Sequence, residues 1–482
     1  MSTPQTGRAA AAGTAAAPDP RRWAALAVAL LAVFMDLVDI TIVLIAAPAI
    51  QADLGTGYAS IQWVIAAYSL ALGLGLITGG RLGDILGRRR MFLAGVAGFT
   101  LASAACALAP GVGTLIAARV LQGAAAAMMV PQVLAMVQVS FPARERAKAF
   151  GLYGAVTGLA AAAAPIVGGL LVGNDVLGLQ WRSVFWVNVP IGVLAVVAGA
   201  VWMRESRAAD RPRLDVPGVV LATVGLLLLL YPLIQGAELG WPGWVWLMLA
   251  ASVLALAGFA RHQARRGRTG DALVPLSLFG SRSFVAGLLA VLVMFSALGS
   301  FFMVLTITLQ TGHGFSALTV GLIFMAWPVG LAATAGAAVR LAPRIGRRLV
   351  SIGALLLTAA MLALITTISR SGGDLGAWHL VPALLVGGVG FGLVAPILVD
   401  MVLATVPASA AGAASGVTNT IVQVAGAAGV AVVGALFTTF LDRTGDFDLA
   451  AQRALWYAVG AFALGFVLSR ALPARAHHAT DH

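Results

Sequence analysis

Four charged side chains sit where apolar ones would be expected. Asp36, Asp39, Arg119 and Asp400 fall inside long hydrophobic runs of a 482-residue chain. At the centre of a membrane helix each would cost about 2.5–3.5 kcal/mol on insertion scales. Such residues face a cavity or a partner. Asp36 and Asp39 are three apart, so they share one face of a helix. Both lie near the middle of the first run. Arg119 lies in the outer half of the fourth run, which returns inward, so Asp39 and Arg119 reach a similar depth. A buried carboxylate near a fixed cation can handle protons, because burial favours its neutral form and the cation favours its charged form. A moving helix or an arriving substrate would tip that balance. The same residues also suit a permanent ion pair that only fixes helix packing. Asp400, near the cytoplasmic end of its run, is either part of the cavity or simply solvated there.

Composition says what must surround these charges. Sixty per cent of residues are hydrophobic and 10% are charged, against roughly 45–50% and 25% in soluble domains. Mean hydropathy is +0.96. So much apolar surface cannot be hidden in the chain's own core, and lipid must be the solvent. Disordered, collagenous, coiled-coil and disulfide-framework classes are excluded. A single cysteine, Cys106, forbids an intrachain disulfide, and metal ligands are poorly supplied, three of the six histidines (His477, His478, His482) sitting in the polar tail and His262, His313 and His379 being scattered. The net charge of +12 raises the possibility of nucleic acid. The placement of the arginines argues for membrane topology instead.

About 20 apolar residues cross a bilayer as helix. Runs of that kind cover 23–50, 58–80, 91–110, 112–141, 149–174, 183–203, 216–237, 239–260, 283–312, 314–339, 349–369, 375–404, 409–441 and 454–470, which predicts fourteen spans. The last is the shortest, bounded by Arg453 and Arg470. The first is too long for a secretory signal and contains two aspartates. With both termini in the cytoplasm, the outer loops hold only Arg182, Arg370, Arg443 and Arg453 of the 30 basic residues. Arg119 lies within a run, and all the others face the cytoplasm, as the positive-inside rule demands. A different helix count would spoil the bias. Trp241, Trp244 and Trp246 suit an outer interfacial belt.

The chain also repeats itself. Gly80–Arg90 and Val339–Leu349 share five of eleven residues at a fixed offset, and both follow the second helix of a six-helix set. The predicted fold is therefore an all-α polytopic membrane protein of two six-helix bundles, 23–203 and 283–470. A linker with two inserted helices (204–260) and a cytoplasmic loop (261–282) separate them. Residues 1–22 and 471–482 are expected to be cytoplasmic tails, the first disordered. Parallel six-helix repeats suit a rocking transporter with a central site. Glycines cluster in the fifth helix (Gly151, Gly154, Gly158, Gly168, Gly169) and the twelfth (Gly387, Gly388, Gly390, Gly392), which suggests moving interfaces in both. No P-loop or catalytic motif is present, so an enzyme and an ATP-driven pump are not expected.

These residues resemble the fourteen-helix drug:proton antiporters of the major facilitator superfamily, the QacA/EmrB-like group, over nearly the whole chain. Asp39–Pro48 looks like that group's first-helix motif, with Leu44 replacing its asparagine. Gln62–Val64 and Tyr68–Leu70 match the second helix. Gly80–Arg90 is similar to the cytoplasmic signature called motif A, with Gly80, Arg81, Asp84, Gly87, Arg88 and Arg89 as the gate residues. Arg119–Gly123 is similar to motif B and brings Gln122 into the cavity set. Pro165, Gly168 and Gly169 look like the helix-packing antiporter motif C, with Ala164 where glycine is usual. Trp181–Pro190 and Ala411–Asn419 also match. The resemblance implies proton-coupled export of hydrophobic, amphiphilic drugs or antibiotics across a bacterial cytoplasmic membrane. Neither cofactor nor ATP would be needed, the proton motive force would drive the cycle, and the chain would act as a monomer. It further implies that Asp39 and Arg119 link protons to transport. Asp84 would accept hydrogen bonds from the start of the thirteenth helix, latching the outward-open state with Arg81 and Arg88. Acidic cavity residues favour cations, while the paucity of acids in the second bundle leaves neutral antibiotics open. Export or flipping of an endogenous metabolite or lipid is the alternative, and a non-transporting receptor or scaffold is a more distant one.

Overall fold

The computed structural model describes residues 21–473 apart from 176–177, 208–214, 237–238, 268–273, 275, 372–374, 405 and 407–410. The two expected tails therefore lie almost wholly outside the described residues. Among the described residues, fourteen helices are long and apolar enough to cross a membrane. They are α1 (Arg22–Leu54), α2 (Tyr58–Leu86), α3 (Arg88–Ala107), α4 (Val112–Ser140), α5 (Gly151–Gly173), α6 (Gln180–Trp202), α7 (Val216–Gln235) and α8 (Gly243–Gly267). Then come α9 (Arg282–Gly312), α10 (Ala317–Ile345), α11 (Arg347–Ser371), α12 (Trp378–Leu403), α13 (Ala414–Thr444) and α14 (Phe447–Ser469). No strand occurs among the described residues.

Several helices outrun their apolar runs. The last has 23 residues, not the short stretch between Arg453 and Arg470. It starts earlier because the Asp446 side chain accepts the backbone N–H groups of Asp448 and Leu449, a cap that satisfies donors with no intrahelical partner. Arg453 is exposed within its second turn, where a long stem can carry the charge to the interface. Likewise α2 continues to Leu86 and α10 to Ile345. The expected loops carrying the repeated arginines are thus helical turns joined by one glycine each. Gly87 (φ +116°) and Gly346 (φ +58°) occupy equivalent positions of the two repeats, in backbone that a side chain disfavours.

Lipid tails are as apolar as leucine, so helices in a membrane associate by close packing rather than by hydrophobic exclusion. The interfaces show it. Gly123 of α4 lies against the Tyr68 carbonyl of α2, and Gly95 of α3 against the Ala125 carbonyl and Met129 of α4. In the second bundle Gly353 of α11 faces the Gly390 carbonyl of α12. Buried residues of α1–α6, among them Ile42, Phe92, Phe99 and Met129, form the first core. Phe284, Phe301, Val320, Leu357, Val394 and Phe462 belong to the second. The inserted α7 lies over the seam between bundles, its Leu230 and Ile234 packing on Ala59, Trp63 and Ala66 of α2 and on Ala427 and Ala431 of α13. α8 turns Trp246, Leu247, Val253 and Leu254 outward, as a lipid-facing helix should.

At the basic end this pair of helices closes on one carboxylate. Asp215, 1% exposed, accepts from the Gly218 N–H at 3.1 Å and from Gln263 Nε2 at 2.7 Å, and His262 Nε2 lies 2.7 Å away. Burial pushes the Asp215 pKa up, but the hydrogen bonds of His262, Gln263 and Gly218 outweigh it and hold the group below the ordinary carboxylate value.

The bundles meet differently on their two flanks. α2 and α13 touch along their length, from Tyr58 against Phe437 to Gly73, whose carbonyl accepts from Thr420 Oγ1 at 2.9 Å, and on to Ile77 against Gly416. α5 and α10 touch only toward the end remote from the arginines. There a Cβ on Gly169 would sit 2.7 Å from Leu318 Cα, and one on Gly321 would collide with the Pro165 carbonyl. Gln310 of α9 donates to the Ile45 carbonyl of α1 at 3.0 Å nearby. Gly151, Gly158 and Pro165 are seven apart and share that face of α5. Yet a Cβ on Gly151, Gly154 or Gly158, or on Gly336 of α10, would meet nothing within 4 Å. The two helices part toward the basic end, so the molecule is closed at one end and open at the other.

Candidate functional site

The charges picked out in the sequence converge inside the first bundle. Asp39 of α1 is fully buried and Arg119 of α4 is 2% exposed. Arg119 Nη1 donates to Asp39 Oδ2 at 2.6 Å and to Gln122 Oε1 at 2.7 Å. Its Nε reaches the Val64 carbonyl of α2 at 3.1 Å. The other carboxylate oxygen of Asp39 accepts from Gln122 Nε2 at 3.0 Å and Asn188 Nδ2 at 2.7 Å. Asn188 in α6 also donates to Ser103 of α3, whose hydroxyl donates to the Phe185 carbonyl. One ion pair therefore ties five helices together. Three donors, one of them the compensating cation, meet the high cost of a buried carboxylate.

Asp36 has different company. It is 4% exposed, and its hydrogen-bond partner is the Tyr68 hydroxyl of α2. The Arg119 guanidinium lies 4.2 Å over the Tyr68 ring, within cation–π range. Asp36 thus communicates with the ion pair through Tyr68, and among the described residues no cation bonds to it. The two carboxylates on one helix face are therefore unequal. One is neutralised and fully coordinated, and the other is buried with a neutral donor. Asp400 of α12 is partly buried in the opposite bundle and takes no part in this network.

The arginine-rich end forms a second group. Asp84 pairs with Arg88 at 2.7 Å across one turn. Gly79 and Gly83 let α2 rest on α4, where Gln132 Nε2 donates to the Gly79 carbonyl at 2.8 Å, and Gly80 faces Pro131. The segment after α6 completes the group: Glu205 accepts the Arg89 N–H at 3.2 Å, and the Ser206 carbonyl accepts the Arg88 N–H at 2.9 Å. A carboxylate at a helix N-terminus suits the dipole of α3. Arg89 Nη2 also donates to the Ala200 carbonyl at 2.6 Å. The segment leading into α13, with which Asp84 is expected to bond, includes residues 407–410, outside the described ones.

Pro165, Gly168 and Gly169 lie together on α5. Gly168 admits Ile42 of α1 and Gly169 admits α10, so this motif sits where the far end closes. The glycines of α12 do not serve a moving interface, contrary to expectation. Gly387 and Gly388 seat Trp327 of α10, and Gly392 faces Thr334 and Leu331, all within one bundle. Their role is packing.

Sequence reasoning passed over Tyr68, Ser103, Gln132, Asn188 and Glu205 as site residues. Tyr68 and Asn188 stand inside quoted motifs, which was the available signal. The others are single polar residues with no spacing to mark them.

Comparison with known proteins agrees with this architecture. A family model for the Major Facilitator Superfamily matches residues 29–430. The chain is 44% identical to a "Probable actinorhodin transporter" of Streptomyces coelicolor, over 92% of this chain and 78% of that protein. It is 39% identical to the "Tetracenomycin C resistance and export protein" of Streptomyces glaucescens, over 88% and 77%. It is also 39% identical to a puromycin resistance protein of Streptomyces alboniger, over 87% and 83%. Among solved structures, a D-xylose-proton symporter superposes with a TM-score of 0.64 at 15% identity, over 93% of this chain and 97% of that one. A peptide transporter gives 0.66 at 16%, over 94% and 96%. Two pseudo-repeated bundles, parted at one end and with a buried ion pair inside the first, and a family match across most of the sequence lead to one conclusion: the chain belongs to the major facilitator superfamily.

Proposed function

We propose that this transporter exports hydrophobic antibiotics or related drugs across the cytoplasmic membrane in exchange for protons, and so confers resistance. The observation that carries the reading is the inequality of the two aspartates. Asp39, paired with Arg119 and held by Gln122 and Asn188, is the fixed element. Asp36, bonded to Tyr68 alone, is the proton carrier. Protonation of Asp36 would leave a neutral acceptor and weaken its hold on the Tyr68 hydroxyl, and through the ring face shared with Arg119 the change would reach the ion pair that spans five helices. Relatives named for resistance to or export of actinorhodin, tetracenomycin C and puromycin support the substrate class.

The arginine-rich end faces the cytoplasm by the positive-inside rule, which places both termini there. The structure then stands open to the cytoplasm, the state that loads an exported molecule. Asp84, Arg81 and Arg88 would latch the opposite state. Moving one proton inward releases ~2.3 kcal/mol per 100 mV of membrane potential, so no ATP is required, and a single chain contains both bundles and suffices.

The test uses everted vesicles with an imposed pH gradient and a panel of amphiphilic antibiotics. At least one should dissipate the gradient in vesicles holding the wild type, and none in vesicles holding Asp36→Asn. If no compound does so with the wild type, the export reading is wrong.

A further inference from the structure

The second bundle carries a chain of aromatic rings. Phe295 of α9 lies 5.6 Å from Phe391 of α12, Phe391 lies 6.0 Å from Trp327 of α10, and Trp327 lies 5.4 Å from Phe302 of α9. These centroid distances are those of interacting aromatic pairs.

The chain of rings returns to α9 on either side of Gly299. Phe295 precedes that glycine by four residues and Phe302 follows it by three, so all three share one face. Other sides of α9 pack within the second bundle. The Ser296 carbonyl meets Gly429 of α13, Met294 meets Gly465 of α14, and Ser296 Oγ lies 2.8 Å from the Tyr457 hydroxyl. The rings themselves lean on α10 and α12. At Gly299 an added Cβ would meet nothing within 4 Å, and Phe295 and Phe302 are partly exposed.

This bare notch is turned toward the first bundle, since α9 meets α1 at the Gln310–Ile45 contact. It is also level with the carboxylates. Gly299 is 17 residues from Arg282, as Asp39 is from Arg22, the two starts lying at the basic end, so both stand about 25 Å along their helices. Between the two flanking rings the helix rises about 10 Å, the length of a fused two- or three-ring system.

We propose that the Gly299 notch, walled by Phe295 and Phe302 and backed by Trp327 and Phe391, seats a flat fused-ring portion of the transported molecule, with its polar or cationic group directed at α1. Ring faces and edges reward a planar aromatic guest beyond simple burial, and a glycine at the centre lets it lie against the helix backbone. The inference rests on the export reading and adds to it a specificity element.

Two cations of equal charge separate the possibilities: ethidium, planar and fused, and dodecyltrimethylammonium, an alkyl chain without rings. Each is assayed for gradient dissipation in the same vesicles. Gly299→Leu, which fills the notch, should lower ethidium-driven dissipation about tenfold and leave dodecyltrimethylammonium within twofold. Phe295→Leu with Phe302→Leu, which removes the walls without filling anything, should show the same selectivity, so that either variant decides the matter if the other fails to reach the membrane. Parallel loss of both compounds, or undiminished ethidium exchange, overturns the notch alone. A wild type that moves neither cation nor any antibiotic of the panel removes the export reading, and the notch with it.

Discussion

Removing the charge of Asp39 and removing the charge of Asp36 should have opposite consequences. Asp39→Asn leaves the Arg119 guanidinium, 2% exposed, with its compensating anion gone. The new amide offers one acceptor oxygen in place of two. Its own NH₂ must then face either Arg119 Nη1 or the pair Gln122 Nε2 and Asn188 Nδ2, all of them donors that Asp39 satisfied, at 2.6, 3.0 and 2.7 Å. Breaking one side of a buried ion pair costs about 3–5 kcal/mol. If the first bundle unfolds as a unit of its size, each kcal/mol is worth roughly 2–4 °C, so the melting midpoint in detergent should fall by on the order of 10 °C. Asp39→Asn combined with Arg119→Gln removes the orphaned cation too and should recover much of that loss, a coupling visible only in the double variant. Asp36→Asn keeps an acceptor for the Tyr68 hydroxyl and has no bonded cation to strand, so its midpoint should move by less than about 3 °C, equivalent to roughly 1 kcal/mol, while its proton exchange disappears. Thermal unfolding followed by tryptophan emission reads the first quantity and vesicle gradient dissipation the second. The reverse pattern, Asp39→Asn stable but uncoupled and Asp36→Asn coupled, would refute the assignment and return the proton to Asp39.

Three further outcomes follow from the geometry. Gly321→Leu places a side chain against the Pro165 carbonyl where α5 and α10 close. It should hold that end open, raising labelling of cysteines introduced along far-end positions by several fold; the native Cys106 is buried and gives no background. Gly87→Ala meets both a φ of +116° and the Glu205 carboxylate, so it should cost about 1–3 kcal/mol and lower the melting midpoint. Glu205→Gln, which keeps the shape, should cost less than half as much. Asp215→Asn should loosen the inserted pair at its basic end, seen as faster amide exchange near Val216. Because the folded pKa of Asp215 is depressed, its stabilisation is complete above the ordinary aspartate value of about 3.9 and fades as pH falls through the lower folded value. The Asp215 carboxylate should therefore add a rise in the exchange rate near Val216 below about pH 4, after correction for intrinsic chemistry, and Asp215→Asn should abolish that rise.

How much of this was legible beforehand differs from element to element. Fourteen spans could be counted because a bilayer demands long apolar runs and because arginine placement penalises a miscount. The pairing of Asp39 with Arg119, 80 residues apart, could be foreseen from depth alone, since two costly charges in a membrane have few places to go. Helix ends were misplaced at α2, α10 and α14, where polar turns continue a helix beyond its hydrophobic run and a cap such as Asp446 starts it early. The glycines of α12 were misread as a moving interface because a small residue looks the same in sequence whether its neighbour is another bundle or a tryptophan of its own.

Composition and hydropathy thus determined the solvent, the number of crossings, the twofold repeat and the identity of the charges that matter, all of which follow from the cost of placing each residue in lipid. Tertiary structure alone decided that Asn188, Gln122 and Tyr68 divide the two aspartates into a coordinated one and a nearly bare one, that Glu205 and Ser206 cap α3, and that α5 and α10 touch at one end only. Neutral polar side chains and glycines carry little transfer penalty and no fixed spacing, so their partners emerge only when helices distant in the chain are laid side by side.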